Sequence, residues 1–474
     1  MSKRLISLLS AVVIAGCTTG PDYETPDTAL PQAWPDQSIL SGDLQADWSE
    51  WWQLFGDPTL NQLVLRSLDQ NLKLSAQTAR VEEFRARLGL ARADRLPTLE
   101  AQAAASREQT PGATIGIPGF ETGPTNLFSV SGMLGYEVDL WGRLAREREA
   151  ALALFEQSSH ARDALRLSIV TDVVTTYFDL RAAENQVRIT QDTIDSREQT
   201  LELQQIRYDG GDIDELVLQQ ARSELESARA ELPARIQRKR MLEGALAVLI
   251  GVQPEQLWSR PDWNPGDLGD IQLPRQIPSF LPSELLERRP DVRASEAGLK
   301  AATASIGIAE AARLPRINLS AMLGTAAGST SNLFTEDAEA WSLAASLSGP
   351  IWDFGRSRAR IESAEAQAEQ AEAQYRMTVL AAFNDVRNAL ILYDSNSQRV
   401  EATRNLVDSL ERTEALAKLR YKEGYISFME FLDTQRALLS ARLALEEAVR
   451  DQLSATASLF KALGGGWDPQ GRES

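Results

Sequence analysis

The chain has 474 residues, a formal net charge of −18, one histidine and one cysteine. A zinc site of His or Cys ligands and any His cluster are excluded by count, a Cys nucleophile is excluded because the one thiol closes the N-terminal signal, and the acid excess, with Lys and Arg spread among acids, excludes the basic patch that nucleic acid requires. There is no G-x-S-x-G, Gly-rich phosphate loop or zinc-ligand spacing. His160, in the polar stretch from Gln157 to Asp163, reads as a solvated residue, and no carboxylate pair stands out. Neither an enzyme nor a cofactor is expected, apart from a covalent lipid.

Residues 1–16 read as a signal peptide. Lys3 and Arg4 precede a short apolar run ending Ile14-Ala15-Gly16-Cys17, too short to span a bilayer as a helix and with small residues at the cut. Cleavage leaves Cys17 as the first mature residue, ready for acylation, and removes Lys3 and Arg4, taking the charge from −18 to −20. The alternative is an ordinary signal peptide with an incidental cysteine. A lipid on Cys17 means a bacterial envelope, and Thr18-Thr19 in place of an aspartate favours the outer membrane, by likeness to bacterial lipoproteins. No later run of 18 or more apolar residues occurs, so any crossing must be made by strands.

After an N-terminal segment, 17–70, the chain is duplicated: a first repeat at 71–251, a Pro-rich connector at 252–283 holding Trp258 and Trp263, a second repeat at 284–464, and a tail at 465–474. An offset of 213 residues carries Gly142-Arg143 onto Gly355-Arg356, Arg207-Tyr208 onto Arg420-Tyr421, and Gly251 onto Gly464. Upstream the offset is 218, carrying Arg95-Leu96-Pro97 onto Arg313-Leu314-Pro315, so the difference falls in a loop.

Each repeat reads helix, strand, loop, strand, long helix, turn, helix. Strands are expected at about 98–108 and 126–138, and at 316–326 and 340–351, from their period-two alternation. Trp341, Leu343, Ala345 and Leu347, for example, alternate with Ser342, Ala344, Ser346 and Ser348. Such alternation suits a membrane barrel wall and a soluble half-buried sheet equally. The helical hairpins, 143–250 and 356–463, weigh for the barrel. Arg143 to Ile206 and Arg356 to Leu419 lack Pro and Gly, and each run would be roughly 95 Å long as a helix. Val379, Val386, Tyr393, Val400 and Val407, and Ile361, Ala368, Tyr375, Ala382 and Ala389, form sevenfold rows that predict a left-handed supercoil. A plain coiled-coil rod would explain the heptads but not the strands. Pro233 is expected to kink or split the first returning helix, whereas Glu446 occupies the matching place in the second. Four strands cannot close a barrel, and open edges are forbidden in lipid, so several chains must share one; three would supply 12 strands.

At this point four ordered motifs match a known family. Trp51-Trp52-Gln53-Leu54-Phe55-Gly56-Asp57-Pro58 resembles the opening of the TolC/OprM family of outer-membrane efflux ducts, in its NodT-type lipoprotein branch. Glu137 to Arg143 and Pro350 to Arg356 resemble its two barrel-to-helix junctions, and Glu287-Arg288-Arg289-Pro290-Asp291-Val292 the start of its second half. The resemblance implies a mixed α and β membrane protein. It would be a homotrimer with a 12-stranded outer-membrane β-barrel, four strands per chain, continued by a long periplasmic α-helical barrel and tethered by lipid at Cys17. It further implies docking to a periplasmic adaptor, a membrane fusion protein, and an inner-membrane pump of the RND type, with export of drugs or other small solutes. A duct for type I protein secretion and a pore-less lipid-anchored scaffold are the rival readings.

The family's periplasmic aperture carries over onto Tyr421, Glu430 and Asp433. The two acids lie three apart, on one helix face, and a threefold axis would gather six carboxylates into a ring that attracts cations. The first repeat has Val217 and Gln220 there. Where relatives often carry Arg or Thr after the turn glycine, this chain has Tyr425 and Ile426. Arg207, Tyr208 and Gly211, with Arg420 and Gly424, mark the turns expected to meet the adaptor, each glycine sitting where a long helix must stop.

Overall fold

The computed structural model describes residues 18–28, 31, 33–34, 48–109, 123–255, 268–274, 277 and 282–465. Cys17, with the lipidation expected there, and Trp258 and Trp263 of the connector lie outside these residues. A 3-10 turn at Trp51–Phe55 precedes α1 (Pro58–Gln70) and α2 (Leu72–Ala93). Strands β1 (Thr98–Glu108) and β2 (Thr125–Val138) follow, then the hairpin of α3 (Arg143–Asp209) and α4 (Glu215–Leu249). The second repeat gives α5 (Leu285–Arg288), α6 (Pro290–Ala311), β3 (Arg316–Ala327), β4 (Glu339–Ser348), α7 (Arg356–Lys422) and α8 (Phe428–Ala462). Two compact units emerge. One gathers Arg80–Ser159 and Ala294–Arg376 with the N-terminal stretch to Asp27; the other holds Thr28–Ala79, His160–Arg293 and Met377–Ser474.

The first unit contains all four strands, in one antiparallel sheet of order β1-β2-β3-β4. Thr98 faces Gly135 in β1 and β2, Val138 faces Ile317 in β2 and β3, and Arg316 faces Ser348 in β3 and β4. β1 and β4 are the edges, and β1 is exposed along its whole length on both faces. β4 stops at Ser348, short of the predicted 351. Gly349 there lies so close to Pro315 that an added Cβ would stand 2.8 Å from its Cα, and Pro350 has no N–H to continue a ladder.

At the junction into α3, Gly142 takes φ 75° and the Asp139 carboxylate caps the new helix, accepting from the backbone N–H groups of Leu144 and Ala145. Gly355, at φ 86°, and Asp353, which accepts from the N–H groups of Gly355 and Ser357, repeat this device before α7. Trp141 then donates its indole N–H to the carbonyl of Pro315 at 2.8 Å, fastening the first junction to the entry of β3.

In the second unit the opening motif is a packed aromatic clamp. Asp57 and Pro58 start α1, the Asp57 carboxylate accepting from Thr59 N–H at 2.8 Å. Trp51 stacks on Phe460 of α8 at 5.3 Å, and Phe55 meets the edge of Phe178 of α3 at 5.0 Å. One short segment thus binds both hairpins, and burying rings of this size contributes roughly 1.5–3 kcal/mol each. Of the sevenfold rows, Val379, Val386, Val400 and Val407 are buried in this unit, with Ala382 and Ala389 beside them.

Pro233 does not split its helix: α4 is unbroken from Glu215 to Leu249. Proline removes one donor and crowds one carbonyl, and at this exposed position water can serve the freed carbonyl. Buried Leu218, Leu225 and Leu246 hold the helix on either side.

Candidate functional site

The hairpin turns belong to the second unit, and each is built by the same two signals. At the end of α3, Gly211 adopts φ 80°; its N–H reaches Tyr208 O at 2.9 Å, and Asp212 N–H reaches Arg207 O at 2.8 Å. Gly424, at φ 77°, repeats this after α7, with its own N–H on Tyr421 O and Tyr425 N–H on Arg420 O. These are paired Schellman bonds, which need a residue tolerant of positive φ. Both glycines face open space, so backbone conformation alone requires them. The returning helices then start on side-chain caps: Asp214 accepts from Val217 N–H, and Ser427 from Glu430 N–H.

Tyr421 is the hub of the second turn. Its ring stacks on Phe431 at 5.5 Å, nearly parallel, and its hydroxyl donates to Gln204 Oε1 at 3.0 Å. Arg207 donates to the same hydroxyl at 3.2 Å, its guanidinium 5.6 Å from the ring centre. The predicted tip residue Arg207 and the predicted aperture residue Tyr421 therefore meet across the two hairpins, while Tyr208, Arg420 and Gly424 stand exposed. Phe428, Phe431, Leu432 and Ala221 bury the apolar floor beneath them.

The two predicted aperture acids are engaged close to home. Glu430 closes a capping box: its carboxylate accepts from Ser427 N–H at 2.7 Å and from the Ser427 hydroxyl at 2.9 Å. Those bonds hold the Glu430 carboxyl below its ordinary range, so it is anionic wherever a free glutamate is. Asp433, one turn on and largely exposed, pairs with Arg436 at 3.2 Å. Tyr421 packs against the apolar cluster, its ring on Phe431, the residue after Glu430.

An ion cluster joining the hairpins was not foreseen from the sequence. Glu224 of α4, nine-tenths buried, takes Arg197 of α3 on one oxygen at 3.0 Å and Arg436 of α8 on the other. Arg436 thus bridges Asp433 to Glu224, and the cluster borders a groove of about 460 Å³ lined also by Thr190, Arg235 and Ser440. Adding 213 to Glu224 or subtracting it from Arg436 gives Ala437 and Ser223. The repeat therefore carried no hint of the cluster.

The outer membrane efflux protein family matches residues 63–252 and 281–465. A toluene efflux pump outer membrane protein, TtgC of Pseudomonas putida, is 33% identical over 480 residues, covering 99% of this chain and 97% of that protein. The probable outer membrane lipoprotein SilC of Salmonella typhimurium is 31% identical over 468 residues, covering 98% and 99%. Among solved structures, the outer-membrane channel OprN superposes with a TM-score of 0.87 at 32% identity, covering 95% of this chain and all of that one. The family match takes in both repeats, their strands and their hairpins, and the chain belongs to the outer membrane efflux proteins, the outer-membrane components of efflux pumps.

Proposed function

We propose that three copies assemble into a passive duct, with a lipid on Cys17 of each holding the N-terminus to the outer membrane. The duct takes small apolar or weakly charged solutes from an inner-membrane pump of the RND type through a periplasmic adaptor. The observation that carries this reading is the open sheet: among the described residues β1 and β4 each have a neighbour on one side only, which no lipid-embedded strand tolerates. TtgC is named for toluene efflux and SilC as a lipoprotein, in keeping with an apolar cargo and with acylation at Cys17.

The turns Arg207 to Asp214 and Arg420 to Ser427 are the adaptor contacts in this proposal, and Tyr421, Glu430 and Asp433 line the aperture. Three copies of Glu430 and Asp433 bring six carboxylates together, but each Asp433 shares its charge with Arg436. Glu430 therefore supplies most of the cation preference. Light scattering of the detergent-solubilised mature protein, with the detergent subtracted, tests the assembly: a trimer is expected, and a stable monomer would overturn the duct. Currents through the trimer in planar bilayers test the aperture. Replacing Glu430 by Gln should lower cation selectivity more than replacing Asp433 by Asn, and unchanged selectivity in the double variant would remove the aperture role from both acids.

A further inference from the structure

The register of the four strands sorts their side chains onto two faces. One face carries Leu99, Leu134, Leu319 and Leu343; the other carries Gln102, Ser131, Asn318 and Ser346. Met133 of β2 and Met322 of β3 break that division. They lie on the polar face, directly opposite each other. Facing residues of an antiparallel pair hold their Cβ atoms about 4.5–5.5 Å apart, so two unbranched thioether side chains can bring both sulfurs to one point.

Two large apolar residues usually face each other at the centre of an apolar cluster, and the surroundings offer none. Diagonal to the pair, on the same face, stand Ser131 and Gly135 of β2 with Ser320 and Gly324 of β3. Along the row across the sheet, Met133 faces Glu100 of β1 and Met322 faces Ser342 of β4. Every neighbour on this face is thus small, hydroxylic or acidic. Met133 is 41% exposed and Met322 half-buried. The duplication does not account for the pair either, since the repeat counterparts of Met133 and Met322 are Ser346 and Ala104. On a wall open to water a methionine gains little from burial. What sets it apart from leucine there is a polarizable sulfur with lone pairs to give.

We infer that Met133 and Met322 bind a soft monovalent cation, Cu(I) or Ag(I), between their sulfurs. The thioether lone pairs are the donors, no proton or electron moves, and Glu100 places a negative charge beside the ion. Thioethers select such ions over Mg2+ and Ca2+, which take oxygen ligands. Two neutral donors on an open wall hold an ion loosely enough to release it, as conduction requires. In a duct whose polar face is the lumen, the pair is a resting place for a soft metal ion among the exported solutes. That role rests on the duct reading, whereas binding itself needs only β2 and β3 of one chain.

Silver nitrate titrated into the purified protein in detergent, followed by calorimetry in chloride-free buffer, tests the binding. One Ag(I) per chain is expected. Met133→Leu and Met322→Leu keep volume and apolar character, and each should weaken uptake at least tenfold. Met377→Leu, at an exposed methionine of α7, should leave it unchanged, and Cys17 gives the same background in every variant. In the wild-type chain labelled with methyl-13C methionine, two methyl signals should shift together at one equivalent, while those of Met241, Met377 and Met429 stay in place. Equal uptake by the wild type and the double variant, or shifts spread over all the methionines, would overturn the site. Ag(I) should also lower the single-channel current of the wild type and not of the double variant. Binding with no change in current would take the pair off the conduction path, and a monomer that still binds Ag(I) would overturn the duct and leave the site standing.

Discussion

The bases of the two hairpins meet one requirement with different side chains. The last carbonyls of a returning helix have no partner within the helix. In the first repeat Asn71 donates its amide to Leu249 O at 2.8 Å while its oxygen accepts from Lys73 and Leu74 N–H groups. Arg289 holds the equivalent position in the second repeat and donates to Ala462 O at 3.2 Å, Ala462 being the counterpart of Leu249. Beside them Gly251, at φ 71°, crowds Gln70 O, and Gly464, at φ 92°, crowds Arg288 O, again at matched positions. Where backbone touches backbone, both copies keep glycine; where a side chain does the work, the copies differ. The asparagine site is self-contained. The arginine site introduces a buried charge, which needs Asp291, held bidentately at 2.7 and 3.0 Å, and Asp385 at 3.1 Å.

Removing these side chains tests the contrast most severely. Arg289→Met should cost several kcal/mol, below the roughly 3–5 kcal/mol of a wholly buried broken pair because both acids keep contact with solvent. Asn71→Ala should cost about 1–2 kcal/mol, for a lost cap and one orphaned carbonyl. Denaturant midpoints in one detergent would give the order, and an equal loss in both variants would break the comparison. The same pair differ in pH response. Burial pushes the Asp291 carboxyl up, but its hydrogen bonds and charge pairing with Arg289 outweigh that and hold it below the ordinary carboxylate range. A lowered folded value stabilises above the ordinary range and is lost as pH falls through it. The acid limb of the stability curve should therefore flatten in Arg289→Met and keep its wild-type slope in Asn71→Ala.

This divergence explains what could be read in advance. The sheet was legible because alternation along Trp341 to Ser348 has a period of two, and the hairpins because Gly211 and Gly424 stop runs without Pro or Gly. The 213-residue offset carried these signals from one copy to the other. Contacts made by side chains from elements far apart in sequence leave no such trace. Nothing in the spacing of Arg197, Glu224 and Arg436 announces their cluster, and Asn71 and Arg289 look unrelated until their carbonyl partners are seen. The role of Glu430 was half visible: Ser427-Phe-Met-Glu430 is a capping-box pattern at the mouth of a helix.

A smaller effect separates the returning helices. Pro233 lies inside α4, whereas its counterpart Glu446 accepts from Asn185 Nδ2 at 2.9 Å and so ties α8 to α3. Pro233→Ala should stabilise the first hairpin, by less than the roughly 3 kcal/mol that proline costs in an ideal helix interior, because the position is exposed and the freed carbonyl is open to water. Glu446→Pro should destabilise by more than Pro233→Ala gains, since it loses the Asn185 contact in addition to a backbone donor. Hydrogen exchange along both helices would resolve the two changes. Equal and opposite shifts would mean that the Asn185 contact contributes nothing.

The smallest effect lies at the turns, where charge and cap reside in one residue. Asp214 and Ser427 both cap their helices, but only Ser427 has a reciprocal arm, because Glu430 stands where the first repeat has Val217. Gln keeps the acceptor of a capping box and drops the charge, whereas Val drops both. Glu430→Gln should therefore leave the unfolding midpoint at its wild-type value while reducing the cation selectivity of single-channel currents. Glu430→Val should lower the midpoint slightly and reduce selectivity to the same degree. If Gln and Val shift the midpoint alike, the charge and not the hydrogen-bonded arm holds the helix start. If neither changes selectivity, Glu430 is a cap and nothing more, and the second turn then differs from the first only in how its helix begins.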